Sequence, residues 1–84
     1  MKRIRLSQHA REQIKYRGVL EEEVQIAINT SSWSRILENR YECKMNINFN
    51  GIWRSKYYLT KQVRPIFAEE LNEIVVITVY SYYF

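Results

Sequence analysis

The stretch Ile74-Val75-Val76-Ile77-Thr78-Val79-Tyr80 decides the fold class, because it is apolar almost without interruption. β-Branched and aromatic residues of this kind favour strands. A strand with so few polar residues has both of its faces covered, or nearly so. We therefore predict that residues 74–82 form the buried spine of a sheet, after a turn at Leu71-Asn72-Glu73.

Three further strands are expected before this one. From Tyr41 onward, apolar and polar residues alternate, which predicts a half-buried strand whose inward residues are Cys43, Met45, Ile47 and Phe49. Asn50-Gly51 is typical of a two-residue hairpin turn, because both residue types tolerate positive φ. Residues 52–60 would then be the returning strand. Residues 62–69 would be the third strand, in which Pro65 indicates an edge or a bulge.

The first third of the chain is predicted to be helical. Ser7 is suited to cap a helix over residues 8–17, and Gly18 is suited to end it. A second helix is expected to begin at the acidic run Glu21-Glu22-Glu23 and to fade within residues 29–34. Glu23 stands where a capping box has its acid, although Leu20 occupies the N-cap position.

Helices at one end of the sequence and strands at the other predict an α+β fold. We expect residues 1–84 to form a single domain, in which a short N-terminal strand or arm precedes two N-terminal helices packed on one face of a four-stranded antiparallel sheet. The other face of the sheet would stay open. One cysteine and one histidine cannot form an internal disulfide or, by themselves, a structural zinc site. We expect no cofactor and no metal.

Positive charge falls in two separate blocks. Residues 1–20 carry six basic and one acidic side chain, and residues 35–64 carry seven basic and two acidic. The blocks could merge into one patch that suits a polyanion such as RNA. The chain starts without the apolar run of a signal peptide, and no apolar stretch approaches the length of a membrane span. A cytoplasmic protein with no membrane partner is therefore expected.

Five side chains are candidates for chemistry at a phosphate: His9, Arg17, Lys61, Arg64 and Tyr80. His9, Gln13 and Arg17 recur every fourth residue and so line one side of the first helix. Alternation along the strand puts Lys61 and Arg64 on opposite faces unless a bulge intervenes. The plainer interpretations remain open: a histidine that bonds a backbone carbonyl, an arginine that caps its own helix, and solvated strand charges.

On the last strand, Val75, Ile77 and Val79 are expected to hold the helices, while Val76, Thr78, Tyr80 and Tyr82 would face the other way. Thr78 and Tyr82 thus become candidates for RNA contact, or are simply good strand formers. Charge interleaved with aromatic residues adds four more candidates for RNA contact: Lys15, Arg54, Lys56 and Tyr58. His, Arg, Lys and Tyr suffice for metal-free phosphodiester cleavage, in which a base activates the 2′-hydroxyl of RNA.

Three blocks together resemble a small prokaryotic family of unknown function that is similar in layout to the RelE and BrnT ribonuclease toxins. They are the run from His9-Ala10-Arg11-Glu12 through Glu21-Glu22-Glu23-Val24, the block Lys61-Gln62-Val63-Arg64-Pro65-Ile66-Phe67, and residues 74–80. The resemblance implies a toxin of a type II toxin–antitoxin pair that cleaves mRNA without a metal and is neutralised by a small antitoxin protein. By position it implies roles for the helix His9 and Arg17, the strand cations Lys61 and Arg64, and the hydroxyls of Thr78 and Tyr80. Gln13 departs from the arginine expected in that helix.

Three functional hypotheses follow. The first is a metal-independent ribonuclease toxin in which His9 or Tyr80 acts as acid or base and the cations bind phosphate. The second is a non-catalytic module that binds nucleic acid or a protein, and the third is a topoisomerase-directed toxin of the same fold. A homodimer stays open, since a small core without disulfides often leans on a partner chain.

Overall fold

The computed structural model describes residues 2–84, which form two helices and six strands. In chain order they are β1 (Arg3–Leu6), α1 (Gln8–Arg17), α2 (Glu21–Thr30), β2 (Ser34–Leu37), β3 (Arg40–Glu42), β4 (Met45–Trp53), β5 (Lys56–Glu69) and β6 (Glu73–Tyr83).

The six strands form one mixed sheet in the order β1-β6-β5-β3-β2, and β4 also pairs with β5. β1 runs parallel to β6, and the other pairs are antiparallel. The prediction of a four-stranded antiparallel sheet is therefore wrong. Two short strands were missed because four- and three-residue segments are too brief to show a period. The long β5 was divided in two because the turn before it was misplaced.

The first helix follows its sequence signals closely. The Ser7 side chain accepts a hydrogen bond from the Ala10 amide, and Gly18 ends α1 with φ of 68°. α2 starts at Glu21, and the Glu23 carboxylate accepts from the Leu20 amide at 2.9 Å. That bond supplies the acid half of a capping box without help from the leucine side chain. The predictions of both helix starts and of the end of α1 are confirmed.

Asn50-Gly51 is not the hairpin turn. The chain reverses three residues later, where Arg54 and Ser55 have φ of 51° and 69° and Trp53 pairs with Lys56. Two successive residues with positive φ are the mark of a type I′ turn. Asn50 does adopt a positive φ of 49°, but it does so in a bulge within β4, between Asn48 and Gly51. The sequence signal for positive φ was therefore correct for Asn50 but not for Gly51, and its structural setting is a bulge rather than a turn.

A bulge in β6 reverses the predicted faces of the residues that precede it, Val75 and Val76, and leaves those of Val79, Tyr80 and Tyr82 as predicted. Ile66 pairs with Thr78 and Phe67 with Val76, so Ile77 is the extra residue. One inserted residue shifts the alternation on one side of it. As a result Ile74, Val76 and Val79 are buried in the core, while Val75, Tyr80 and Tyr82 face away from the helices. The prediction that Val75 and Ile77 hold the helices is wrong, whereas the prediction for Val79 is confirmed.

Both helices cover the face of the sheet that carries the buried side chains. The core lies between this face and the helices, and its members are Leu6, Ala10, Val19, Val24, Ala27, Ile28, Cys43, Val63, Phe67, Ile74, Val76 and Val79. Along β5 the buried residues are at odd positions from 61 to 67, and the even positions are only half-buried. We call these two sides the helix face and the open face.

Pro65 lies in the middle of the sheet rather than at an edge. Its carbonyl oxygen accepts from the Cys43 amide at 3.4 Å, at the place where the partner of β5 changes from β4 to β3. In a strand, the N–H and the C=O of one residue point to the same neighbouring strand. The N–H that proline lacks would therefore also point to the segment between β3 and β4. In the register of β3 and β4 Cys43 lies directly opposite Pro65, so proline removes the reciprocal bond of this pair, and the ladder is interrupted at this point.

Candidate functional site

The open face presents polar and aromatic side chains in register across three strands. Arg64 of β5 pairs with Tyr80 of β6. One row further, Gln62 pairs with Asn46 of β4 on one side and with Tyr82 of β6 on the other. In the next row Thr60 pairs with Asn48, and it exchanges two backbone hydrogen bonds with Phe84, of 2.8 and 3.0 Å.

The side chain of Tyr80 brings two arginines together. The guanidinium carbon of Arg17 lies 5.2 Å from the centre of the Tyr80 ring, and that of Arg64 lies 5.4 Å from it. Both distances fall within the range of cation–π attraction. Arg64 also donates to the Tyr82 hydroxyl at 3.2 Å and to the Glu42 carboxylate. We call Arg17, Arg64, Tyr80, Tyr82 and Glu42 the arginine–tyrosine cluster.

Arg17 reaches the open face because α1 lies along the free edge of β6. The Gln13 side-chain oxygen accepts from the Val79 amide at 3.2 Å and from the Thr78 hydroxyl. One turn later, the Arg17 carbonyl accepts from the Ser81 hydroxyl at 2.9 Å and the Tyr83 hydroxyl at 2.6 Å. Gln13 therefore anchors the helix to β6 by accepting hydrogen bonds. An arginine at this position could not do so, because its side chain has no acceptor atom.

Gly18 permits the close approach that ends the helix at this point. A Cβ built on Gly18 would lie 2.5 Å from Trp53 Cζ3 and 2.6 Å from the Tyr83 hydroxyl oxygen. Its φ of 68° is in the left-handed region, which side chains disfavour. Both constraints select glycine, and they fix where the backbone of Arg17 meets β6.

Lys61 lies apart from the cluster, on the helix face. Only 5% of its surface is exposed, and its ammonium group donates to the Gly18 carbonyl at 3.0 Å and to Glu23 Oε1 at 2.8 Å. The same ammonium lies 5.6 Å from the centre of the Phe49 ring. Lys61 thus joins the α1–α2 junction to β5. We assign it a structural role and leave it out of the site.

His9 and Lys15 are exposed on α1 and make no hydrogen bond or ion pair among the side-chain contacts of residues 2–84. His9 precedes Arg17 by two turns, which is about 12 Å along the helix axis. Lys15 lines a shallow groove with Glu12 and Tyr16. Neither residue joins the cluster, so the structure does not bring the predicted acid or base His9 to the arginines.

Arg54, Lys56 and Tyr58 belong to the β4–β5 hairpin and pack around Tyr83. The Trp53 and Tyr83 rings stack 4.9 Å apart, and the Tyr58 ring lies 5.7 Å from that of Tyr83. Arg54 donates to the Tyr16 carbonyl at 2.7 Å, and the Lys56 ammonium lies 5.8 Å from the Tyr58 ring. Arg54 therefore ties the hairpin to the end of α1, Tyr58 packs it against β6, and Lys56 contacts Tyr58 within the hairpin itself.

Positive charge exceeds negative charge on the open face. The register of the strands places four arginines there, and Arg17 reaches it from the end of α1; the four are Arg3, Arg5, Arg40 and Arg64. Glu73 pairs with Arg5 at 3.0 Å, and Glu42 pairs with Arg64. None of the ion pairs formed by residues 2–84 includes Arg17. Hydrogen bonds to Glu42, and then to Tyr82, raise the pKa of Arg64, which therefore stays charged.

The sequence singled out Arg17, Arg64, Tyr80 and Tyr82, but it missed their neighbours. Glu42 is one of the polar residues of the alternating stretch that begins at Tyr41, and an acid on such a strand is a candidate partner for a cross-strand cation. Gln62 and Asn46 gave no signal at all, because their importance comes from the register between β4 and β5.

Within residues 2–84, no three His, Cys, Asp or Glu side chains are placed to hold a metal ion. Over the same range, no helix has the length and the apolar content needed to cross a bilayer.

Comparison of the chain with protein families, with curated proteins and with solved structures finds no match in any of the three. The resemblance to ribonuclease toxins therefore stays a hypothesis.

Proposed function

We propose that this protein binds single-stranded RNA on its open face, with a backbone phosphate held at the arginine–tyrosine cluster. The observation that carries the proposal is the pair of guanidinium groups, Arg17 and Arg64, on the single ring of Tyr80. Guanidinium groups bind phosphate oxygens through paired, charge-assisted hydrogen bonds. Each of the two guanidinium groups on this ring is therefore a candidate contact for a phosphate oxygen of the RNA backbone.

The ion pairing of the two arginines supports this assignment. Arg17 has no acidic partner among the described residues, so it is available to a ligand. Arg64 uses its Nε to reach Glu42 and its Nη1 to reach Tyr82. A guanidinium has five N–H groups, so donors remain for a phosphate. Glu42 then orients Arg64 and lowers the net charge of the empty site.

The test is a binding titration at two or more salt concentrations with a fluorescein-labelled single-stranded hexaribonucleotide. Arg17→Ala is expected to weaken binding by about tenfold and to reduce the salt slope by about one phosphate contact. Arg11→Ala is the matched control, because Arg11 lies on the same helix but pairs with Glu21 at 3.0 Å. If both variants lose the same affinity for RNA, binding depends only on the net charge of the protein, and the proposal is overturned.

Cleavage of the bound RNA is the second candidate function, as expected for a ribonuclease toxin. The observation in its favour is the phenol of Tyr80, the hydroxyl-bearing residue whose ring contacts both guanidinium groups. Such a phenol could protonate a leaving oxygen while the cations stabilise the phosphorane charge. Cleavage would also need a base, and the distance of His9 from Arg17 argues for another group or for a partner.

Tyr80→Phe separates binding from cleavage, since it keeps the ring and removes only the hydroxyl. The toxin hypothesis expects that cells making the wild-type protein stop growing, that their mRNA is cut, and that Tyr80→Phe abolishes both effects while RNA binding persists. Intact RNA after incubation with an excess of the purified wild type, in EDTA, would eliminate metal-independent cleavage by the protein alone. We also propose a cytoplasmic location, because that is where an RNA ligand would be met. An antitoxin partner is expected only if the toxin hypothesis holds.

A further inference from the structure

Three aromatic residues follow one another at alternate positions along the open face of β6. They are Tyr80, Tyr82 and Phe84, and neighbouring members of the series are about 7 Å apart, the repeat of an extended strand. The Tyr80 ring already contacts two guanidinium groups. Tyr82 and Phe84 are 43% and 59% exposed, respectively. Two uncovered rings thus lie directly beyond the point assigned to a phosphate.

Each of these two rings adjoins neutral polar side chains in its own row. Gln62 is the neighbour of Tyr82, and it donates to the Asn46 side-chain oxygen at 2.9 Å. After that bond, Gln62 keeps an amide oxygen that can accept, and Asn46 keeps an amide nitrogen that can donate. An adjacent donor and acceptor match the edge of a nucleobase, as side-chain amides do when they bind adenine.

Charge is distributed along the face in the way that a nucleotide chain requires. No residue of β4 (Met45–Trp53) is charged, and none of the β6 residues from Ile74 to Tyr83 is charged. The arginines lie beside Tyr80, at one end of the aromatic series. The cationic end suits a phosphate, and the uncharged rows suit bases, which are neutral.

We propose that two consecutive bases of a single-stranded RNA stack on Tyr82 and Phe84, and that the Asn46–Gln62 pair reads the edge of the base on Tyr82. This inference rests on the proposed RNA-binding function and deepens it, because it assigns base contacts where the cluster supplies only phosphate contacts. Bases of unpaired strands can be splayed onto aromatic side chains, whereas those of a duplex cannot. The site therefore takes unpaired RNA of at least two nucleotides.

The stacking part is tested with the same labelled hexaribonucleotides and with an RNA duplex of equal length. Tyr82→Leu and Phe84→Leu are each expected to weaken single-strand binding at least about fivefold. Tyr82→Phe keeps the ring but removes the hydroxyl to which Arg64 donates, so it should weaken binding less than Tyr82→Leu does. Tyr16→Leu is the control, since Tyr16 is 73% exposed but lies on α1. Thermal unfolding confirms that each variant is folded, and if Tyr82→Leu fails this check, Phe84→Leu carries the test.

The base-reading part is tested by comparing oligo(A), oligo(C) and oligo(U). The wild type is expected to prefer one of them, and Gln62→Leu should level the three affinities without abolishing binding. Loss of affinity in Arg17→Ala, with no effect of Tyr82→Leu and Phe84→Leu, would overturn this inference and leave the proposed function standing. Equal affinity for the duplex would also overturn it. A wild type that binds no RNA would overturn the proposed function itself.

Discussion

Lys61 and Arg64 are three residues apart on the same strand, and each pairs with a glutamate, yet the two pairs differ in their surroundings. The Lys61 and Glu23 side chains are 6% and 17% exposed, whereas those of Arg64 and Glu42 are 27% and 22% exposed. Lys61 also bonds a backbone carbonyl at the junction of the helices. Arg64 instead contacts two tyrosines on the open face. The alternation of one strand therefore separates a structural cation from one that a ligand can reach.

The largest effect is expected on the helix face. Lys61→Ala leaves the half-buried carboxylate of Glu23 without its ammonium partner, and we expect a loss of about 3 kcal/mol in the free energy of unfolding. Arg64→Ala should cost about 1 kcal/mol or less, because that pair keeps access to water. Urea denaturation of both variants measures the difference. The double variant Lys61→Met with Glu23→Leu should recover most of the loss. Equal costs for Lys61→Ala and Arg64→Ala would contradict the division between the faces.

Gly18→Ala is expected to have the next largest effect. A methyl group there collides with Trp53 and Tyr83 and must hold a left-handed backbone. We expect a loss of about 2–3 kcal/mol in the free energy of unfolding. Gly51→Ala is the control, since its nearest neighbour would be 3.6 Å away. That change should stay within about 1 kcal/mol of wild type. If both variants unfold at the same urea concentration, Gly18 does not control the junction.

The Cys43 thiol on the helix face should make the free energy of unfolding depend on pH in the alkaline range. Burial, and then the charge of Glu42, raise the pKa of the Cys43 thiol from 9.0 to about 11. The folded state therefore favours the neutral thiol. The stabilisation that the buried thiol adds to the free energy of unfolding is fully present below pH 9 and is lost as the pH rises toward 11. Wild type should lose about 1–2 kcal/mol more than Cys43→Ala across that interval. Urea denaturation at each pH measures this difference. If the free energy of unfolding falls equally in both proteins, the Cys43 thiol does not lose its proton when the protein unfolds.

The smallest effect is expected from a change in the Arg64–Glu42 pair on the open face. Glu42→Gln removes the negative charge beside Arg64, so RNA binding should strengthen by about two- to fivefold, with a change in stability below about 1 kcal/mol. The hexaribonucleotide titration measures the affinity. Glu21→Gln serves as the control, because it removes an equal charge from the helix pair with Arg11. An unchanged or weakened affinity in Glu42→Gln would mean that Arg64 does not meet the ligand.

Local signals predicted the helices well because the groups that decide them are close in sequence. Ser7 caps residues next to it, Gly18 needs only its own φ, and Glu23 bonds an amide three residues away. The hairpin shows where this locality fails. Arg54 and Ser55 are poor residues for positive φ, but Arg54 bonds the Tyr16 carbonyl and lies 5.0 Å from the Trp53 ring. Contacts from a distant helix thus outweighed the preference of Asn50-Gly51.

The candidate site was predicted in part for a related reason. Residue type and the period of a strand were enough to select Arg17, Arg64, Tyr80 and Tyr82. They could not exclude Lys61 by its burial, nor add Glu42 and Gln62. Those distinctions depend on which strands are neighbours and in what register.

The sequence by itself determined the two helices, the strand character of residues 74–82, and the opposite faces of Lys61 and Arg64, because each follows from short-range sterics and the period of the backbone. Tertiary structure decided the parallel pairing of β1 with β6, the bulge at Ile77 and the meeting of Arg17 with Tyr80. The bulge matters most among these, since it lets Val76 and Val79 both enter the core, whereas uninterrupted alternation would put them on opposite faces. No local pattern encodes it, because it exists only in the pairing of β6 with β5.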